Sequence, residues 1–329
     1  MKIRIKIISF LMSIVLITAL SINIANQTIS KKIIKEQIRL KLESTGKSRA
    51  LHIETYLNTE KDLALGLSES IVIKRLLALN KKNKDYKEKL RDVLTRLKNS
   101  AEINEEIYDI FVLDTDGVVV ASSIEERIGV NRSDDSYFIN GKKGVYLKSP
   151  YNSKFFKDQP ALAFSAPIFQ DITHKFLGVV VIRVRLDYLN KITTDVTGLG
   201  ETGEIYLLNK DDYMISSSRF LNDTFLKQKV DTPESRERWE LFGEEEEEER
   251  EEVDIYQSYC GELVIGTHYR IAGTDWCLIA EKNLEESLAP VKKLVKINIL
   301  LINILLVLGI IISVILSGSI NKQFKKLHK

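Results

Sequence analysis

Two cysteines and four histidines are the whole supply of soft metal ligands in 329 residues. His52, His174, His268 and His328 stand far apart, at none of the spacings that close a zinc site, so neither a metal nor a cofactor is expected. A disulfide between Cys260 and Cys277 is chemically open to an exported chain. However, a hairpin turning over 271–274 would set Cys260 opposite the neighbourhood of position 285, and two unpaired thiols are expected. The sequence also lacks a Gly-x-Ser-x-Gly elbow, a histidine pair at metal spacing and a phosphate-binding glycine loop. That removes the common hydrolase and nucleotide chemistries, and no catalytic residue is expected. The formal net charge is only +2, from 48 basic and 46 acidic residues. With no basic stripe interleaved with aromatics, nucleic acid is not an expected partner.

Charge is missing altogether from two places. None lies between Lys6 and Lys31, or between Lys296 and Lys322. About 20 helical residues at 1.5 Å each cross the ~30 Å hydrocarbon core of a bilayer. Residues 7–25 and 297–317 are therefore expected to be transmembrane helices, neither showing a polar face. The first run is long for a signal peptide and is followed by no clear small-x-small cleavage site, so it is read as an anchor. Lys2, Arg4 and Lys6 before the first span, and Lys322, Lys325, Lys326 and Lys329 after the second, put both termini in the cytoplasm. Lys31, Lys32 and Lys35 on the outer side of the first span weaken that rule locally. Residues 26–296 then lie outside.

Between the spans the pattern is helical from 27 to about 80, with apolar stripes at Ile34, Ile38 and Leu42 and at Ile53, Leu57, Ala64, Leu67 and Ile71. Ser44-Thr45-Gly46 falls between the stripes and could bend the helix. Lys81 to Lys84 break it, and 85–101 read as another helix. This 27–101 region is a stalk and spine whose apolar face must pack on a sheet or on a second copy of itself. Strands follow at 107–113 and 118–122 around the turn Asp114-Thr115-Asp116-Gly117. A short helix at 136–140 and three strands at 144–147, 161–169 and 176–186 complete a PAS-like order. The order repeats about 95 residues later: strands at 204–208, 213–217, 253–259, 262–270 and 276–281, with a helix at 187–197 between the two sets. The expected class is α+β: two tandem PAS-like antiparallel sheets, 107–197 and 198–283, on a long N-terminal helix flanked by two transmembrane helices. A helix at 284–296 leads into the second span. The glutamate run 243–252 is a like-charge block, read as a solvated surface loop.

The stretch 137–186 holds the candidate site. Alternation along the strand 179–186 puts Val179, Val181, Arg183 and Arg185 on one face and Val180, Ile182, Val184 and Leu186 on the other. The all-apolar face should meet the long helix, which leaves the arginines on the pocket side. A charge in a half-buried strand needs a partner or water. Arg183 either binds an anionic group, which a guanidinium grips bidentately, or pairs with an acid such as Asp109 or Asp135, or reaches solvent. Tyr137 and Tyr146, whose hydroxyls want partners, are either pocket or core.

Taken in order, several short motifs resemble the double Cache sensor domain of bacterial transmembrane receptors. In the first half they are Asp114-Thr115-Asp116-Gly117, Asp134-Asp135-Ser136-Tyr137-Phe138, Pro160-Ala161-Leu162-Ala163-Phe164-Ser165-Ala166-Pro167 and Gly178-Val179-Val180. In the second they are Gly203-Glu204-Ile205-Tyr206-Leu207-Leu208-Asn209, Gly261 with Val264-Ile265-Gly266, and Thr274-Asp275-Trp276 with Leu278-Ile279-Ala280-Glu281. The resemblance implies a small ligand in the membrane-distal domain, lined here by Tyr137, Phe138, Tyr146, Tyr151, Phe164 and Arg183. Members that bind amino acids place an arginine two residues before the aromatic pair and an aspartate on the last strand. Those positions are Asp135 and Arg183 here, the reverse charges, so the usual amino-acid mode is not expected. The implied function is the ligand-sensing half of a chemoreceptor, sensor histidine kinase or cyclic-dinucleotide enzyme in the inner membrane. It would take a small anion such as a carboxylate and dimerise through the long helix and the spans. Any enzymatic output would follow a HAMP-like linker beginning at 318–329. The alternative is a membrane-anchored exported binding or structural protein.

Overall fold

The computed structural model describes residues 2–232 and 254–327. The glutamate run expected to form a surface loop lies outside the described residues. Two compact units emerge. One comprises 1–43, 251–266 and 281–329; the other comprises 44–250 and 267–280.

Helix α1, Lys2–Ser68, is unbroken. Its apolar segment exposes Phe10, Ile17, Ile22 and Ile24. That segment and Ala289–Ile312 are long and apolar enough to cross a membrane. From residue 42 onward α1 buries Leu42, Ala50, Ile53, Leu57, Ala64 and Leu67, positions that recur on one helical face. The helix is not interrupted at Ser44-Thr45-Gly46. Gly46 serves close packing instead, because a Cβ there would stand 2.4 Å from the Tyr269 ring. The helix also ends earlier than expected. Ser70 N–H bonds back to Leu67 O at 3.1 Å, and Lys74 bridges Glu69 and Asp171 at 2.5 Å each. Ile71 therefore starts a separate helix, α2 (Ile71–Ala78), and is exposed rather than part of the stripe. Helix α3 follows at Tyr86–Ile103.

The first sheet contains β1 (Ile107–Leu113), β2 (Val119–Ser122), β3 (Tyr146–Ser153), β4 (Gln159–Phe169) and β5 (Phe176–Arg185), in the order β2-β1-β5-β4-β3. All its described pairings are antiparallel. The turn after β1 forms because the Asp114 carboxylate accepts the N–H groups of Asp116 and Val118 at 3.1 and 3.0 Å. Helix α4, Ser136–Gly141, crosses between β2 and β3. β3 is longer than the 144–147 expected, and a bulge lets it continue: pairing steps from Lys148↔Ala163 to Tyr151↔Ala161. Two residues, Ser149 and Pro150, are thus set against one, Leu162, which makes one extra residue in β3.

Helix α5, Asp187–Thr194, leads to β6 (Glu204–Leu208). The second sheet adds β7 (Asp254–Gln257), β8 (Leu263–Arg270) and β9 (Cys277–Asn283), in the order β6-β9-β8-β7. The strand expected at 213–217 is reduced to isolated bridges, Leu208↔Met214 and Tyr213↔Lys229. Its ladder fails because the Ser216 hydroxyl, not a backbone carbonyl, receives the Leu207 N–H at 2.9 Å. Cys277 is buried, Cys260 is exposed, and neither forms a disulfide. After the single turn Leu284–Ser287, the helix Ala289–Leu327 begins with Pro290 in its first turn, where a missing N–H costs nothing.

A candidate ligand site on the first sheet

The register fixes what shares the α4-side face. On β5, Arg183 stands opposite Asp109 of β1 and Ala163 of β4; Val181 stands opposite Phe111 and Ser165; Val179 stands opposite Leu113. On β3, Tyr146, Lys148 and Tyr151 pair with Ser165, Ala163 and Ala161. The floor under α4 is therefore the small series Ala161, Ala163, Ser165, with larger groups on both sides. Tyr137 and Phe138 from α4 close over Phe111, Leu113, Val179 and Val181, with Tyr146 and Tyr151 packed against them.

Arg183 is buried, 3% exposed. Its Nη1 lies 3.8 Å from Asp109 Oδ2 and 3.4 Å from Ser153 Oγ, and its Nε makes no hydrogen bond within the chain. Asp109 is better served by a residue the sequence reading did not single out. Arg127, from a short 3-10 turn at Glu125–Arg127, donates from Nη1 to Asp109 Oδ2. The Arg127 guanidinium also sits over the rings of Phe155 at 4.1 Å and Phe111 at 4.9 Å. Two buried guanidiniums thus share one buried carboxylate. Burial pushes the Asp109 carboxyl upward against the pull of Arg127 and Arg183. It lowers Arg127, with Arg183 adding like-charge repulsion and Asp109 opposing. In both partners desolvation outweighs mutual attraction, as expected of an ion pair taken out of water. The Tyr137, Tyr151 and Ser165 hydroxyls and Asp109 Oδ1 are buried and form no hydrogen bond within the chain. Burial raises both tyrosines above the usual phenol range.

Over this cluster, the Lys148 ammonium lies 4.1 Å from the Tyr151 ring centre and 5.2 Å from that of Tyr137, and pairs with Asp135 at 2.6 Å. Asp135 precedes α4 but caps no N–H with its side chain. Outside the pair is a polar cleft of about 500 Å³ lined by Asn131, Arg132, Asp134, Asp135, Ser136 and Lys148.

Of the residues named from sequence, Tyr137, Phe138, Tyr146, Tyr151 and Arg183 come together. Phe164 does not. It pairs with Ile182 and Leu147, one residue out of phase with Ala163 and Ser165, and so belongs to the opposite face. Arg185 is exposed, its guanidinium 4.5 Å from the Tyr108 ring. Arg127 was missed because Glu125-Glu126-Arg127 reads as surface charge. The available signal was Asp109, a carboxylate inside an apolar strand.

The first sheet thus carries a buried aromatic and charged cluster under a crossover helix. The sequence profile of the Cache domain matches residues 27–291, and the chain belongs to that family. Among solved structures, the ligand-binding domain of the Campylobacter jejuni chemoreceptor Tlp3 in complex with L-norvaline is similar over 80% of this chain and 97% of its own, at 14% identity and TM-score 0.59. The extracellular domain of the putative histidine kinase rpHK1S-Z16 is similar over 78% and 99%, at 17% identity and TM-score 0.54. The ligand-binding domain of the Pseudomonas aeruginosa PAO1 amino-acid chemoreceptor PctC, in complex with GABA, is similar over 74% and 99%, at 14% identity and TM-score 0.50. No curated protein matches. The neighbours are sensor domains rather than enzymes, and the two apolar helices flank the family match.

Proposed function

We propose that this chain is the sensing half of a two-span receptor and that its ligand is a small molecule bearing a carboxylate. The ligand lies over the Ala161-Ala163-Ser165 floor, with its anionic group on Arg183 and the Tyr137 and Tyr151 hydroxyls beside it. Both termini are cytoplasmic, the Cache domain is outside, and two copies pair through α1 and the spans. One observation carries the ligand class. Arg183 is a buried cation whose Nε has no hydrogen bond within the chain, while the nearest carboxylate already serves Arg127. A buried charge without a full partner is costly, and a ligand carboxylate relieves that cost.

The test is thermal unfolding of the full chain in detergent with a panel of acetate, butyrate, succinate, glutarate, γ-aminobutyrate and L-amino acids. A binder at 100 times its Kd adds about 2.7 kcal/mol to stability. Arg183→Gln should abolish the shift; a shift of equal size in that variant would show the reading to be wrong. A second reading, in which the ligand also carries an ammonium, rests on Asp109 Oδ1, which is buried without a hydrogen bond. It is favoured if γ-aminobutyrate binds more tightly than butyrate.

A further inference from the structure

The bulge in β3 does more than lengthen the strand. Ser149, within it, is the next residue after Lys148 and two before Tyr151, both of which face the site. Its hydroxyl accepts the Trp276 indole N–H at 3.1 Å and donates to Asp275 at 3.2 Å. A serine hydroxyl has one donor and room for two acceptor contacts, so both bonds can form together. Trp276 is fully buried, and its only hydrogen-bonding side-chain atom is committed to a strand of the other sheet.

The turn that presents Trp276 is itself tightly defined. Thr274 N–H and Oγ1 both bond Ile271 O, at 3.2 and 2.8 Å, and Ile271 N–H bonds Trp276 O at 3.1 Å. Its Ala272 N–H is held by the Glu54 carboxylate of α1 at 2.7 Å. Three chain segments meet at this one turn. β3 leads to the ligand site, α1 is continuous with the first apolar segment, and β9 follows Trp276 and runs on in sequence to the second.

We infer that the turn 271–276 between β8 and β9 is the transmission joint of the receptor. Ser149 passes a displacement of the pocket strand to Trp276, and β9 carries it toward the second span. The inference rests on the reading that β3 borders the ligand site, and it adds the contact by which occupancy leaves that site. Coupling of this kind is a reciprocal free energy between two places, so it can be measured from either end and without a ligand.

The experiment is amide hydrogen exchange on the full chain in detergent micelles, comparing wild type with Lys148→Met, Ser149→Ala, Lys148→Met/Ser149→Ala and Trp276→Phe. Lys148→Met breaks the Asp135 pair at the site. It should speed exchange over 271–280 by roughly fivefold, the size of effect expected when about one hydrogen bond is lost. In the Ser149→Ala background the same substitution should leave 271–280 unaffected while still loosening 146–153. Trp276→Phe keeps an aromatic side chain but loses the five-membered ring with its N–H; it should speed exchange over 146–153. Unchanged exchange over 271–280 in Lys148→Met overturns the inference. So does an equal response with and without Ser149, or a Trp276→Phe effect confined to its own hairpin. Because no ligand enters the cycle, its outcome is independent of whether a carboxylate binds.

Discussion

Replacing Arg127 with Met would leave the Asp109 carboxylate buried with only the 3.8 Å contact to Arg183. Removing one partner of a buried pair costs about 3–5 kcal/mol, so Arg127→Met should lower unfolding free energy by that order in urea denaturation. The double variant Arg127→Met/Asp109→Leu removes the stranded charge as well and should recover most of the loss; additive losses would mean the two side chains are not coupled. The sequence showed half of this arrangement. Arg183 and Asp109 each stand in an apolar strand, and register alone makes them neighbours. The third member arrives on a short turn after β2. Its burial depends on where the chain folds back, which no local periodicity reports.

Strand alternation was the most legible element-scale signal, and β4 shows both its strength and its misuse. Ala161, Ala163 and Ser165 alternate with Leu162, Phe164 and Ala166, so one face of the strand is all small and the other carries both large side chains. Read strictly, that pattern already places Phe164 with the helix-facing set; the resemblance to the family's pocket lining had drawn it into the site. The missing strand at 213–217 failed for a different reason. Its composition was right, but a serine side chain took the place of a backbone acceptor. At Gly178, where β5 runs close to β1, a Cβ would stand 2.0 Å from Leu113 O. Since a backbone carbonyl cannot swing aside as a side chain can, Gly178→Ala should destabilise by about 1–3 kcal/mol. Its urea midpoint should fall with little change in slope; an unchanged midpoint would show that the two strands part freely.

At the scale of the whole molecule, the two apolar helices and the near absence of cysteine combine into a topology assay. Cys260 is exposed and Cys277 is buried. In intact cells a membrane-impermeant maleimide should label the chain at Cys260 from outside and spare Cys277 until the protein is unfolded. Labelling that requires the membrane to be opened would place the Cache domain on the wrong side. The two long apolar helices were the easiest part of the chain to read, since both runs are free of charge in the sequence.

The contact between Trp276 and Ser149 also has an optical consequence. The chain holds only two tryptophans, and replacing Trp239 with Phe leaves a single indole. That indole is buried with its N–H held by the strand that borders the site. Its emission wavelength and quenching then report on the environment of one hydrogen bond, and the chain carries its own fluorophore where the 271–276 turn meets β3.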